Sequence, residues 1–220
     1  MSTIQNPEPH HAQMASTPES RWTELKRFML RYLEASLSPD LLYHSVAHTR
    51  DDVLPAAVRL AELAQLDSHE RLLLRVAALF HDAGFVVAYR DNERFAAAMA
   101  RDALPRFGYS VLQIERVVGL IMATAMPPRP EGLLEALLCD ADLDSLGRED
   151  YLETSLKLWR ELALYGQSLS LEDWYRHQIG FLRAHSYFTQ EAKALRDAGK
   201  AANIRLVERL LRDLEGHESI

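Results

Sequence analysis

The sequence predicts an all-α fold, a single helical bundle, and three observations carry the prediction. From Ser20 onward apolar residues recur three and four apart, strand-like alternation is nearly absent, and Ser, Asp and Gly punctuate the apolar runs as helix caps do. Residues 1–19 hold three prolines and few large apolar side chains, so they read as a disordered tail ahead of one domain over 20–220. Trp22, Leu25, Phe28, Met29, Tyr32 and Leu33 form the first helical face. A second helix is predicted from about Leu42 past Leu63, bent at Pro55. Asp67 and Glu70 have the spacing of a capping box opening "SHERLLLRVAALFHD", and Gly84 suits the position just past that helix. The next helices are expected over about 92–106 and from Ser110, with Gln113, through "SVLQIERVVGLIMATA". "AMPPRPEG" (125–132) is the clearest loop, and helices follow at about 132–139, 148–165, 170–184 and 189–215.

The 220 residues are 48% hydrophobic, enough for one sizeable core. A formal charge of −7 argues against a nucleic-acid polymer or an anionic membrane as the main partner. No window approaches the ~18 apolar residues that span a membrane, and the first twenty residues lack the apolar stretch of a signal peptide. The single cysteine, Cys139, rules out an internal disulfide and a Cys-rich zinc site. A reducing cytoplasm is the expected location.

"AALFHDAGF" (77–85) sets His81 and Asp82 at the end of an apolar run, where burying either alone costs several kcal/mol. His44 and His48 are four apart and would share a helix face; Asp140, Asp142 and Asp144 follow the apolar run of "LLCDADLDSLG". Two imidazoles and two carboxylates suit a divalent transition metal, and an ion would offset the cost of the buried pair. Ordinary hydrogen bonding of the pair, and a helix cap or solvated turn at the aspartates, are the plainer readings of each fragment alone. His10 and His11, in the tail, read as solvated.

"YHSVAH", "AALFHDAGF" and "CDADLDSLG", in that order, resemble the H…HD…D signature of the HD superfamily of metal-dependent phosphohydrolases, within it a short bacterial group of predicted hydrolases. A looser likeness spans about 21–212. The resemblance implies one divalent ion (Mn, Co, Ni, Mg, Fe or Zn) on His48, His81, Asp82 and Asp142. Asp142 is preferred because Ala141-Asp142-Leu143 matches the family's last ligand, which leaves Asp140 to orient a ligand or cap a helix. His44 matches a pocket histidine that donates to a phosphoryl oxygen or takes a second role at the metal. Glu93 or Asp142 would position the attacking water, although a helix-start glutamate is also at home in solvent. Ala125 stands where many relatives have a histidine, which disfavours a second metal and an iron oxygenase. Phe85 replaces the catalytic glutamate of the 5′-nucleotidase branch, and Ala83-Gly84-Phe85 the acidic run of the alarmone hydrolases.

The implied activity is a phosphatase or phosphodiesterase acting on a small phosphate ester such as a nucleotide. The alternative is a ligand-sensing module that keeps the metal without turnover. Expected partners are the small phosphorylated molecule and a second copy of the chain. Arg50, Arg90, Arg94, Arg148 and Lys193 lie near the motifs and are candidates to meet phosphate, each otherwise a solvated charge. Asp51 or Asp52 would orient an imidazole. Tyr43, Trp159, Trp174 and Tyr175 read as core, and Cys139 as buried and inert.

Overall fold

The computed structural model describes residues 17–217, and among these it contains nine α-helices and no strand. They are α1 (Pro18–Ser36), α2 (Leu54–Leu63), α3 (Ser68–Phe80), α4 (Asn92–Ala103), α5 (Val111–Ala123), α6 (Leu133–Asp142), α7 (Tyr151–Leu164), α8 (Leu171–Ala184) and α9 (Gln190–His217). The predicted all-α bundle is what forms. Of the expected tail, residues 1–16, with His10 and His11, lie outside the described residues. Its last residues belong to α1, because the Thr17 side chain accepts from the Ser20 amide and Pro18 supplies a helical φ with no donor to waste.

α3 is the hub. Val76, Ala77, Ala78, Leu79 and Phe80 are wholly buried, and α1, α2, α4, α5 and α6 pack around them. The capping box of α3 is present, with the Glu70 amide 2.8 Å from Asp67 Oδ1 and the Asp67 amide 3.2 Å from Glu70 Oε2. Ser110 and Gln113 form the same arrangement at α5. α9 closes the other side, packed on α8 and on the 3₁₀ turn Asp144–Gly147.

Three expectations need correction. No helix starts at Leu42: residues 42–45 are bends, and helix begins at 46. Nor does it run on as a bent α-helix, because His48–Val53 is a π-helical turn in which the Leu54 amide bonds Thr49 O, five residues back. Pro55 follows at the start of α2; it has no N–H to offer the Asp51 carbonyl, so the regular ladder is interrupted there. Gly84 is not a left-handed residue past α3. It lies in the 3₁₀ turn Ala83–Val86, and a Cβ there would fall 1.8 Å from Asn92 O, so the glycine is required by the close approach of α4. Finally, the fourth helix tightens into a 3₁₀ turn at Leu104–Phe107, around Pro105, instead of continuing to 106.

Candidate metal centre

The π turn, the end of α3 and the end of α6 meet at one point. His48, His81, Asp82 and Asp142 each offer a ligand atom there, all within 4.8 Å of one another. His48 Nε2 is 3.2 Å from Asp142 Oδ1 and 3.6 Å from Asp82 Oδ2. His81 Nε2 is 3.1 Å from Asp82 Oδ2 and 3.4 Å from Asp142 Oδ1. His81 Nδ1 donates to Ala78 O at 2.9 Å, so in the neutral form of the ring the Nε2 lone pair is directed at two carboxylates. His81 Nε2 and Asp82 Oδ2 are shut from solvent yet have no hydrogen-bond partner. Acceptors facing acceptors in a buried site need a cation between them. These residues fit a divalent ion.

Protons are the other cation available, and the electrostatics show how strongly the site wants one. Burial pushes the imidazoles down, but Asp142, Asp52 and Asp82 outweigh it and raise His48 to about 9. Burial likewise opposes the charged form of His81, and Asp82 and Asp142 still hold it well above the usual range. Asp82 and Asp142 are correspondingly held down by the imidazoles, against the effect of burial.

Around this cluster the chain orients its own groups. Asp52 Oδ2 stands 3.7 Å from His48 Nδ1, and Arg148 fixes Asp52 at 2.6 Å. Of the two candidates, Asp52 is the one that faces His48, at a distance beyond a hydrogen bond, whereas Asp51 is exposed and paired with Arg50. His44 does not share a helix face with His48, because it sits in the bend before the helix. The two rings converge anyway, with centroids 6.3 Å apart. His44 Nδ1 is 2.5 Å from Glu161 Oε1, and its ring stacks on Phe85 at 4.1 Å.

A cavity of about 660 Å³ opens over the cluster, within the range of ligand pockets. His44, Asp82 and Asp142 line one end; Phe85, Tyr89 and Leu158 are among its apolar walls. Glu93 reaches it from the start of α4, half-buried and accepting from Asn92. Tyr43 and Trp174, expected as core, also line it. Trp174 is buried as predicted, with its indole N–H on Ser155. Among the basic candidates Arg90 alone lines this cavity. Arg148 is paired with Asp52 and Asp150, Arg50 with Asp51 and Glu34, and Lys193 lies on Phe188 O. Cys139 is buried, its thiol pushed up to about 12 by burial and then by Asp142 and Asp140.

Asp140 is no part of the metal cluster. Its carboxylate accepts from the Phe188 amide, the Thr189 amide and the Thr189 hydroxyl at 2.7–2.8 Å, and so holds the chain entering α9. Asp144, unassigned by the sequence, accepts two bonds from Arg196 and is met by Arg59. Glu161 was also missed. It lies on the stripe Ser155, Leu158, Leu162 of α7, where a charged residue interrupts an otherwise inward-facing row, and that interruption was the available signal.

The sequence matches no family model and no curated protein. Two solved structures are similar in fold. A predicted HD superfamily hydrolase from an uncultured Thermotogales bacterium superposes with a TM-score of 0.60 at 18% identity, over 86% of this chain and 92% of its own. The fold is that of the HD superfamily. Bacillus subtilis YpgQ, in complex with ADP, has a TM-score of 0.64 at 18% identity, over 88% of this chain and 96% of its own. Within this HD fold the "HD" pair is the seam between α3 and the 3₁₀ turn after it, which is where the orphaned atoms lie. No helix among the described residues is long and apolar enough to cross a membrane.

Proposed function

We propose that this chain is a metal-dependent phosphohydrolase acting on a small phosphate ester, with a nucleotide as the favoured class. The observation that carries the reading is the pair of solvent-excluded, unpartnered atoms, His81 Nε2 and Asp82 Oδ2, at one end of a ligand-sized cavity. A divalent ion held by His48, His81, Asp82 and Asp142 would polarise a phosphoryl oxygen and lower the pKa of a water towards ~7. Ala78 keeps the His81 imidazole turned toward that point, and Asp52 stands 3.7 Å behind the His48 ring. Asp142 or Glu93 positions the water, and His44 donates to an oxygen of the ester. Arg90, exposed at the cavity, meets remaining negative charge. Phe85, Tyr89 and Trp174 give an aromatic organic group surfaces to pack on, and the ADP held by YpgQ favours a nucleotide.

Phosphatase and phosphodiesterase assays over a nucleotide panel, with Mn²⁺, Co²⁺, Ni²⁺ and Mg²⁺ in turn, test the reading. Sustained turnover that needs the metal supports it. Tight binding without turnover would point to a regulatory module instead. Elemental analysis should find about one ion per chain. Glu93→Gln should keep that ion and lose turnover.

A further inference from the structure

Tyr151 and Ser155 of α7 stand one turn apart, as do Trp174 and Gln178 of α8, so each pair shares a helix face. All four side chains line the cavity and are at least nine-tenths buried. Their polar atoms are spent on one another in a fixed direction. The Trp174 indole can only donate, and it gives its N–H to Ser155 Oγ at 3.1 Å. Ser155 in turn hydrogen-bonds the Tyr151 hydroxyl. That hydroxyl lies 2.6 Å from the Gln178 amide, a length that belongs to O–H···O and is too short for N–H···O, so the atom it meets is Oε1. Gln178 Nε2 is what remains. Its contact among the described residues is His177 Nδ1, at 3.5 Å, the outer edge of hydrogen-bond reach and on an exposed ring. An NH₂ carries two hydrogens, so at least one has no acceptor, on a residue that is 5% exposed.

We propose that Gln178 is the specificity-determining residue of this cavity, its amide NH₂ selecting nucleotides whose base carries a ring carbonyl over those with an amino group at the same position. This rests on the phosphohydrolase reading for the nucleotide and on Gln178 for the base. Leu158 and Phe181, further along the same two helix faces, wall the cavity with apolar surface that suits a flat ring. A carbonyl oxygen on that ring accepts from Nε2 and completes the run of bonds that starts at Trp174. An exocyclic amino group there sets donor against donor and leaves both unpaired. Tyr151 is the positioning residue. A glutamine free to turn could offer its oxygen to the amino base, and the hydroxyl on Oε1 prevents that turn.

The test is calorimetric binding of four nucleotides to the full chain with Mg²⁺; where the chain hydrolyses them, the ratio of kcat/KM is read in place of affinity. Inosine and adenosine 5′-monophosphate differ by oxo for amino on a purine, and uridine and cytidine 5′-monophosphate by the same exchange on a pyrimidine. In whichever ring size binds more tightly, the oxo nucleotide should lead its amino partner about 10-fold, the worth of one hydrogen bond gained and one unpaired donor avoided. Gln178→Met keeps the length of the side chain without its donors and should bring the pair level. Tyr151→Phe frees the amide to turn and should shrink the lead to ~2-fold. An amino nucleotide that equals or beats its oxo partner in the wild type overturns the proposal, and so does a lead that survives Gln178→Met unchanged. If Gln178→Met does not fold, the wild-type order and Tyr151→Phe decide, and a full lead retained in Tyr151→Phe overturns the orientation given to the amide. An oxo lead in binding without release of phosphate upholds Gln178 and counts against the hydrolase reading. Phosphate released equally well from both members of the pair does the reverse, and four nucleotides neither bound nor hydrolysed sink both.

Discussion

Asp140 and Asp144 differ from Asp142, two residues from each, in who answers their charge. Asp140 is closed by three donors from 188–189, and Asp144 by two arginines, all groups of the same chain. Asp142 faces two imidazoles and another carboxylate, and nearby Asp82 Oδ2 has no hydrogen bond. A carboxylate serving the fold is ringed by donors; one serving a ligand is ringed by other acceptors. The two kinds should separate cleanly in experiment, the first moving stability alone and the second moving metal.

The largest stability loss is expected from Asp144→Ala. It strips a buried carboxylate from Arg196 and Arg59 and should cost about 3–5 kcal/mol in urea unfolding, with one metal ion still bound in elemental analysis. Loss of the ion in that variant would erase the distinction. Next comes chelation of the wild type. An ion at a hundred times its dissociation constant contributes about 2.7 kcal/mol, which for a chain of this size is a melting shift of about 5–10 °C. Asp142→Asn and Asp82→Ala should both lose that chelator response; a melting curve indifferent to chelator in the wild type would mean that the cluster is satisfied by protons. Asp140→Asn ranks third, since an amide leaves one of its three donors without an acceptor, at about 1–3 kcal/mol. It should leave metal affinity unchanged, and emptying the site would reverse the assignment.

The last effect is one of pH, away from the cluster, and is read as a profile. Burial, then the Lys200 cation, pushes His185 down to about 4 from an ordinary 6.5. The unfolded chain then binds the extra proton between those values, so the contribution is complete above about 6.5 and is lost as pH falls toward 4. His185→Gln should flatten this part of the melting-temperature profile. A variant as acid-sensitive as the wild type between pH 6.5 and 4 would assign the loss to other groups.

These contrasts also mark what the sequence makes legible. The HD pair, His48 and Asp142 stand in ordered motifs beside apolar runs, and the structure brings those four together. The capping residues Asp67 and Ser110 were equally readable, because a cap is satisfied by a partner three residues away. What escaped depends on contacts far along the chain. Glu161 meets His44 across 117 residues, and Asp144 meets Arg196 across 52. No local spacing records such a partner, so one residue went unnoticed and the other unassigned. The helix placed at Leu42 failed for a different reason: Pro55 was read as bending a continuous α-helix, whereas the ladder before it widens into a π turn and helix begins only at 46.

That π turn makes chain length at 49–53 a counted quantity. α2 downstream is pinned by Ala56, Ala57 and Leu60, all wholly buried, so it cannot rotate to absorb a change. Deleting one residue would let the Leu54 amide bond four residues back and restore ordinary α geometry. It would also turn everything before it by about 100°. His48 would then swing off the cluster while keeping its neighbours in sequence. An alignment would register such a deletion as a single gap in a polar stretch, with every motif residue intact, and the protein would have lost a ligand.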